Sequence, residues 1–249
     1  MNVHVSENPQ ELGRTAGRQA GVYIREAIAS KGAANIILAT GTSQFETLKQ
    51  ILQEPDIDWN KVVLFHLDEY IDLPVTHGAS FRKYLKERFV DQLGDIGAVH
   101  YIDGETDPEK ECARLGELIK KHPIDVAMIG IGENGHLAFN DPPADFETKE
   151  AFIVVELDDA CKKQQLGEGW FASVDDVPDQ AISMSIHQIL QSDQIICSVP
   201  DKRKAPAVKN AVEGEITNLH PASILQKHQN CTIYLDQPAA ELLTTSKNA

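Results

Sequence analysis

The chain reads as an α/β fold in which a mostly parallel central sheet is covered by helices on both faces. Three observations carry this. Largely apolar runs at residues 34–39 and 62–67, and an unbroken one in the first half of residues 125–143, are too short for globular helices and suit buried parallel strands. Helical patterns alternate with such runs along the chain, the order that a parallel sheet with crossover helices requires. Three chemically marked loops (residues 40–43, 68–69 and 132–141) each follow a candidate strand. They can therefore meet at one sheet edge, where open α/β sheets bind ligands.

Taken in order, Val3 and Val5 alternate weakly and predict a short edge strand within residues 1–5. Pro9 and Glu11 open a helix that runs to about Ser30. Ala16, Ala20, Tyr23, Ile24 and Ile28 fall near helical spacing, and Gly32 stops it. The first buried strand follows at 34–39 and ends in Thr40, Gly41, Thr42 and Ser43. Phe45, Leu48, Ile51 and Leu52 then mark a helix. A small-hydroxyl loop at a helix start offers free amides to an anion, although an ordinary capped turn has the same look. It lacks the Gly-Lys-Thr of a nucleotide-binding loop.

The strand at 62–67 runs into Asp68, Glu69 and Tyr70. Neighbouring side chains diverge along a strand, so only one of the two carboxylates is expected to face a shared pocket. Ser80 caps a helix carrying Phe81, Tyr84, Leu85, Phe89 and Leu93. A short strand at 99–102 and a helix at 107–121 lead to the central strand. The loop after it holds Gly130, Gly132, Gly135, His136, Asn140 and Asp141. Its glycines let backbone approach a ligand closely. Further strands are expected at 151–157, 181–186, 194–199 and 232–235, with helices at 158–165, from Asp201, at 221–228 and at 238–243. The helix from Asp201 carries Lys202, Arg203, Lys204 and Lys209. Cations oppose the dipole at a helix start unless an anion lies nearby. No repeat, low-complexity tract or linker interrupts residues 1–249, which are expected to form a single domain.

Composition narrows the function. Of 249 residues 42% are hydrophobic and 24% charged, enough for a sizeable core. The formal net charge of −15 repels phosphate backbones and anionic lipid, so no nucleic-acid and no membrane partner is expected. An anionic small molecule would need a local basic pocket. Cys112, Cys161, Cys197 and Cys231 show no CxxC spacing, and no His/Cys/carboxylate grouping has ligand spacing. Neither a disulfide framework nor a metal is expected. The amino-terminal stretch has no signal-like pattern, and no apolar run reaches the about 18 residues of a membrane span, which points to the cytoplasm.

The strongest motifs are Leu-Ala-Thr-Gly-Thr-Ser at 38–43, Phe-His-Leu-Asp-Glu-Tyr at 65–70 and His-Gly-Ala-Ser-Phe at 77–81. To these add Gly-Glu-Asn-Gly-His-Leu-Ala-Phe-Asn-Asp-Pro at 132–142 and the segment from Lys204 through Ala211, Val212, Glu213 and Gly214. Together they resemble the glucosamine-6-phosphate deaminase (isomerase) family, which shares its fold with 6-phosphogluconolactonases. The resemblance implies a Rossmann-like three-layer αβα sandwich. It implies conversion of a 2-amino-2-deoxy-hexose 6-phosphate, glucosamine 6-phosphate first, and water to a ketohexose 6-phosphate and ammonia. The partner would be that small amino-sugar phosphate, with no cofactor, and a homo-oligomer is left open.

By the same resemblance, Asp68 matches the general base that removes the C2 proton. His136 matches the ring-opening histidine, a proton carrier suited to neutral pH. Asp141 stands in place of the usual glutamate beside that histidine. Thr40, Gly41, Thr42 and Ser43 with Lys204 match the phosphate cradle.

Three departures qualify the match. Asn134 replaces an aspartate; an amide there is expected to hydrogen-bond the ring without a charge to stabilise imidazolium. Asparagine also looks like relatives assigned to galactosamine 6-phosphate, which leaves the C4 configuration open. The family's phosphate-binding arginine is missing before Trp170 and Phe171, where Gln164, Gln165 and Glu168 stand, so Lys162, Lys163 and Arg203 are its candidate substitutes. Residues 145–151 offer Lys149 among Asp145, Glu147 and Glu150, and no activation by an effector phosphate is expected. A 6-phosphogluconolactonase is disfavoured by Tyr70 and by Leu137 and Phe139, where those enzymes typically read Arg, Thr and Ser. A non-catalytic sugar-phosphate sensor ranks last.

Overall fold

The structure, a computed structural model, describes residues 1–244. From the amino end run β1 (Asn2–Ser6), α1 (Pro9–Lys31), β2 (Ala34–Leu38), α2 (Phe45–Gln53), β3 (Val62–His66) and β4 (Asp68–Tyr70). Next, α3 (Phe81–Leu85) continues through a π turn at Lys86–Val90 into α4 (Asp91–Leu93). β5 (Ala98–His100), α5 (Pro108–Ile119), β6 (Val126–Ile129), β7 (Phe152–Glu156) and α6 (Asp159–Gly167) follow. The chain then adds β8 (Gln180–Met184), α7 (Ile186–Ile189), β9 (Gln194–Val199), α8 (Ala205–Glu213), β10 (Cys231–Asp236) and α9 (Gln237–Ala240).

Seven strands make one sheet in the order β1-β10-β9-β6-β2-β3-β5, and every pairing in it is parallel. Side chains alternate across it. Ile36, Leu38, Leu64, Val126 and Met128 meet α1 and α2 through Leu12, Ala16, Ala20, Ile24, Leu48 and Ile51. Their neighbours Ile37, Phe65, Ala127 and Ile129 face the other way, onto α5, α7 and α8 through Leu115, Ile119, Ile189 and Val208. The two-residue period thus produces a helix–sheet–helix sandwich, each fully buried Leu or Ile contributing about 1.5–3 kcal/mol. No described helix is long and apolar enough to cross a membrane.

Caps fix the helix ends. Asn8 Oδ1 accepts from Glu11 N at 2.9 Å to start α1, and Gly32, in the left-handed region, ends it. From β2 the chain winds outward through β3 and β5, then returns to β6 and winds the other way through β9 and β10. The reversal lies between β2 and β6. A crevice opens at such a point, outside the carboxyl ends of the strands.

Two features depart from the sequence reading. The strands near 152–156 and 180–184 do not join the main sheet; they pair antiparallel with each other and with β4 in a second, three-stranded sheet. The polar triplet Asp68, Glu69 and Tyr70 has no strand signature of its own and is made a strand by this pairing. The helix expected from Asp201 begins later. Asp201 sits at φ 89°, Lys202–Lys204 form a 3₁₀ turn, and α8 starts beyond it, with Pro206 in its first turn.

Candidate active site

A cavity of about 510 Å³ opens at the β2/β6 reversal. Residues 40–43 after β2, Leu67 and Asp68 after β3, residues 130–132 after β6 and residues 200–204 after β9 all reach it. Phe81, Ala138 and Phe139 give it an apolar wall, and Gln164, Gln165 and Glu168 come from α6 and just beyond.

Part of the lining is rich in hydroxyls, free amides and cations. Gly41 adopts φ 92°, a conformation that disfavours any side chain, and its carbonyl accepts from Tyr84 Oη at 2.9 Å. This bend starts the turn at Thr42–Gln44 and α2. Buried Gln44 donates to Ser43 Oγ at 3.0 Å and to Ile129 O at 3.2 Å, locking the loop to the end of β6. Lys204, which also lines the cavity, is only 6% exposed. Its ammonium has no ion-pair or hydrogen-bond partner among the described residues. Burial holds its pKa below the ordinary lysine value, with the nearby carboxylates of Glu168 and Glu133 pulling it back. A buried cation lining the same cavity as a hydroxyl- and amide-rich loop suits an anionic ligand.

The same lining carries titratable groups. Asp68 and Glu69 diverge as strand neighbours must. Glu69 turns inward and accepts from Ser80 Oγ, from the amides of Tyr70, Phe81 and Arg82 and from Arg82 Nε, so it anchors the start of α3. Asp68 alone lines the cavity, 7% exposed. Burial, with a smaller push from Glu69, raises its pKa from 3.8 to about 8. His136 stands opposite Gly132, whose missing Cβ makes room: a methyl there would lie 2.2 Å from Nε2. Nδ1 of the ring lies 2.8 Å from Asp141 Oδ1. Burial raises the Asp141 pKa, but the bonds from His136 and Asn134 outweigh it and hold the carboxyl below its ordinary value.

The profile of the family described as "Glucosamine-6-phosphate isomerases/6-phosphogluconolactonase" matches residues 7–234. The chain belongs to that family. Within it, the glucosamine-6-phosphate deaminase of Lactobacillus delbrueckii subsp. bulgaricus is 35% identical over 246 residues, 98% of this chain and all of the relative. The deaminase of Bacillus cytotoxicus is 33% identical, covering 97% of this chain and 89% of the relative. Among solved family structures, one described as a monomeric glucosamine-6-phosphate deaminase superposes with a TM-score of 0.88 at 31% identity, covering 98% of this chain and 100% of that one. The 6-phosphogluconolactonase of Trypanosoma brucei, with a TM-score of 0.78 at 17% identity and 98% of each chain covered, shares the fold.

Against the family pattern, the structure brings Asp68, His136, Thr40, Gly41, Thr42, Ser43 and Lys204 to one cavity, with Asp141 directly behind His136. Asn134 does not reach the imidazole, contrary to the sequence-based expectation. Its Nδ2 donates to Asp141 Oδ1 at 2.9 Å and its Oδ1 accepts from the His136 backbone amide at 3.1 Å, so it clamps the loop and the carboxylate together. Of the three candidate basic substitutes, Arg203 lines the cavity, paired to Glu133 and Asp201. Lys162 is tied to Asp179, and Lys163 lines a separate hollow. Sequence reasoning missed the buried Cys161 beside Asp141 and the close approach of Glu168 to Gly41. Both sit in or at the end of α6, and only its docking brings Cys161 to Asp141 and Glu168 to the cavity.

Proposed function

We propose that this protein is a hydrolytic isomerase-deaminase that converts glucosamine 6-phosphate and water to fructose 6-phosphate and ammonia. The observation that carries the reading is the arrangement of one cavity. A carboxyl of raised pKa, a histidine backed by an aspartate, a buried lysine without a described partner and a hydroxyl-rich loop all border it.

The phosphate docks on the residues 40–43 loop and Lys204, with Arg203 at the rim. That places C1 and C2 between Asp68 and His136. His136 carries a proton from the anomeric hydroxyl to the ring oxygen, its Nδ1–H held by Asp141 so that Nε2 faces the sugar. In the open chain, Asp68 takes the C2 proton and returns it to C1 while one amine proton passes to O1, so that C1 becomes an alcohol carbon and C2 an imine carbon. Water adds to that imine and ammonia leaves, which balances the reaction. A base of pKa about 8 is mostly protonated in the empty cavity at neutral pH. The cationic amine of the substrate beside it favours the carboxylate, so binding readies the base. Lactone hydrolysis needs no carbon acid, and Asp68 would then have no such task.

Ammonia release measured with glucosamine, galactosamine and mannosamine 6-phosphates, beside hydrolysis of 6-phosphogluconolactone, tests the reading. Turnover is expected with the gluco isomer. Lactone hydrolysis without ammonia release overturns it, and galactosamine preference reassigns the sugar.

A further inference from the structure

Outside the groups given a role above, the strongest unassigned feature is the thiol of Cys161. It comes from the first turn of α6, whose N-cap Asp158 accepts from the Cys161 amide at 2.6 Å. The thiol is buried at 1% exposure, and one donor atom each of His136, Asp141 and Cys161 lie within 4.8 Å of one another. We propose that these three side chains form a binding site for a zinc-class divalent cation, overlapping the histidine–aspartate pair, so that such a metal reversibly inhibits the protein.

The donor set decides the metal class. One thiolate, one imidazole and one carboxylate suit Zn²⁺ or Co²⁺ and are wrong for Mg²⁺ or Ca²⁺, which take oxygen. Zinc–ligand bonds of about 2.0–2.3 Å place tetrahedral donors roughly 3.3–3.8 Å apart, so no pair need close by more than about 1.5 Å and the 2.8 Å His136 Nδ1–Asp141 Oδ1 pair must open by roughly 0.5 Å. The carboxylate is already oriented: Asn134 Nδ2 donates to Asp141 Oδ1 and the Asp158 amide to Oδ2. Such outer bonds are what hold a ligating group in place. The three groups lie behind the cavity wall that His136 forms, so a bound cation is screened from the cavity by the imidazole ring.

Coordination displaces one proton, from the thiol to solvent, and burial with the flanking acids keeps that thiol protonated until a metal arrives. It also switches the imidazole tautomer. Without metal, Nδ1–H donates to Asp141 and Nε2 is free to accept from a ligand. A cation on Nδ1 forces the proton onto Nε2, and the ring can no longer take a proton from the cavity side. Inhibition follows from this tautomer, and that part of the inference rests on the proposed function; metal binding itself does not.

The test is titration of chelator-stripped protein with Co²⁺, followed by displacement with Zn²⁺. Wild-type protein is expected to give a thiolate-to-cobalt charge-transfer band and the intense visible bands of tetrahedral cobalt, both erased by zinc. Cys161→Ser is expected to lose the charge-transfer band and bind Co²⁺ at least about tenfold more weakly, while Cys112→Ser, in the half-buried cysteine elsewhere, keeps it. Cys161→Ala with an unchanged melting temperature serves if the serine variant does not fold. No thiolate band in wild-type protein, or a band that survives in both Cys161 variants, overturns the site. Zinc is also expected to block ammonia release and EDTA to restore it. Equal zinc inhibition of wild type and Cys161→Ala overturns the overlap, whereas absence of ammonia release from every amino-sugar phosphate counts against the function and leaves the cobalt result to decide the site.

Discussion

Replacing Asp68 by asparagine should stabilise the protein while stopping proton transfer at C2. The side chain is 7% exposed, and burial followed by the charge of Glu69 raises its pKa from 3.8 to about 8. A folded-state pKa above the unfolded value means that the folded form binds the proton more tightly. The associated stability is complete below pH 3.8 and is lost as pH climbs toward about 8. At pH 7 the loss spans 7 − 3.8 = 3.2 units, or about 4 kcal/mol at 1.36 kcal/mol per unit. Asparagine mimics the protonated acid in shape and charge, so Asp68→Asn should gain about 2–4 kcal/mol at pH 7 and almost nothing at pH 4. For a chain of this size that corresponds to a melting-temperature rise of roughly 5–15 °C. Denaturant unfolding of ligand-free protein at the two pH values measures it, and exchange of the substrate C2 hydrogen in deuterated buffer should fall by about 10²–10⁴-fold. A variant that is less stable at pH 7, or equally stabilised at both pH values, refutes the burial argument; unchanged exchange removes Asp68 as the base.

Asn134→Asp places a second carboxylate where Nδ2 now lies 2.9 Å from Asp141 Oδ1. The added negative charge should move the acidic limb of kcat/KM upward by about one pH unit, and a superimposable profile would show that position 134 does not couple to proton transfer. Glu168→Gln removes an acid that approaches Gly41 and acts on Lys204. KM for the sugar phosphate, and Ki for inorganic phosphate, should drop about threefold to tenfold at low salt with kcat little changed, a difference that rising salt erodes; a raised KM would mean that Glu168 holds the ligand instead. Gly132→Ala puts a methyl 2.2 Å from His136 Nε2 and should cut kcat about 100-fold by tilting the ring, with circular dichroism unchanged. Full activity in that variant would separate the ring position from turnover.

The sequence by itself determined the layers and which loops border the cavity. Apolar runs such as residues 126–129 alternate with helical patterns, and that local period fixes which segments are strands and on which face each residue sits. The loops at 40–43, 68–69 and 132–141 were legible for the same reason: glycines, hydroxyls, carboxylates and one histidine mark their turns in a few consecutive residues. Even the divergence of Asp68 and Glu69 follows from strand geometry, although the sequence does not say which of the two faces inward. That choice belongs to Ser80, Arg82 and three backbone amides, which claim Glu69 from more than ten residues away or from its own turn.

Tertiary structure alone decided the remaining partners. Asn134 bonds Asp141 rather than the imidazole because the loop folds back through the His136 amide. Arg203 rather than Lys162 reaches the cavity because Asp179 claims the lysine. β4 becomes a strand only by pairing with β8, and Cys161 meets Asp141 only because α6 docks there. In each case the outcome depends on which of several competing long-range contacts buries best, and no short window of sequence contains both partners.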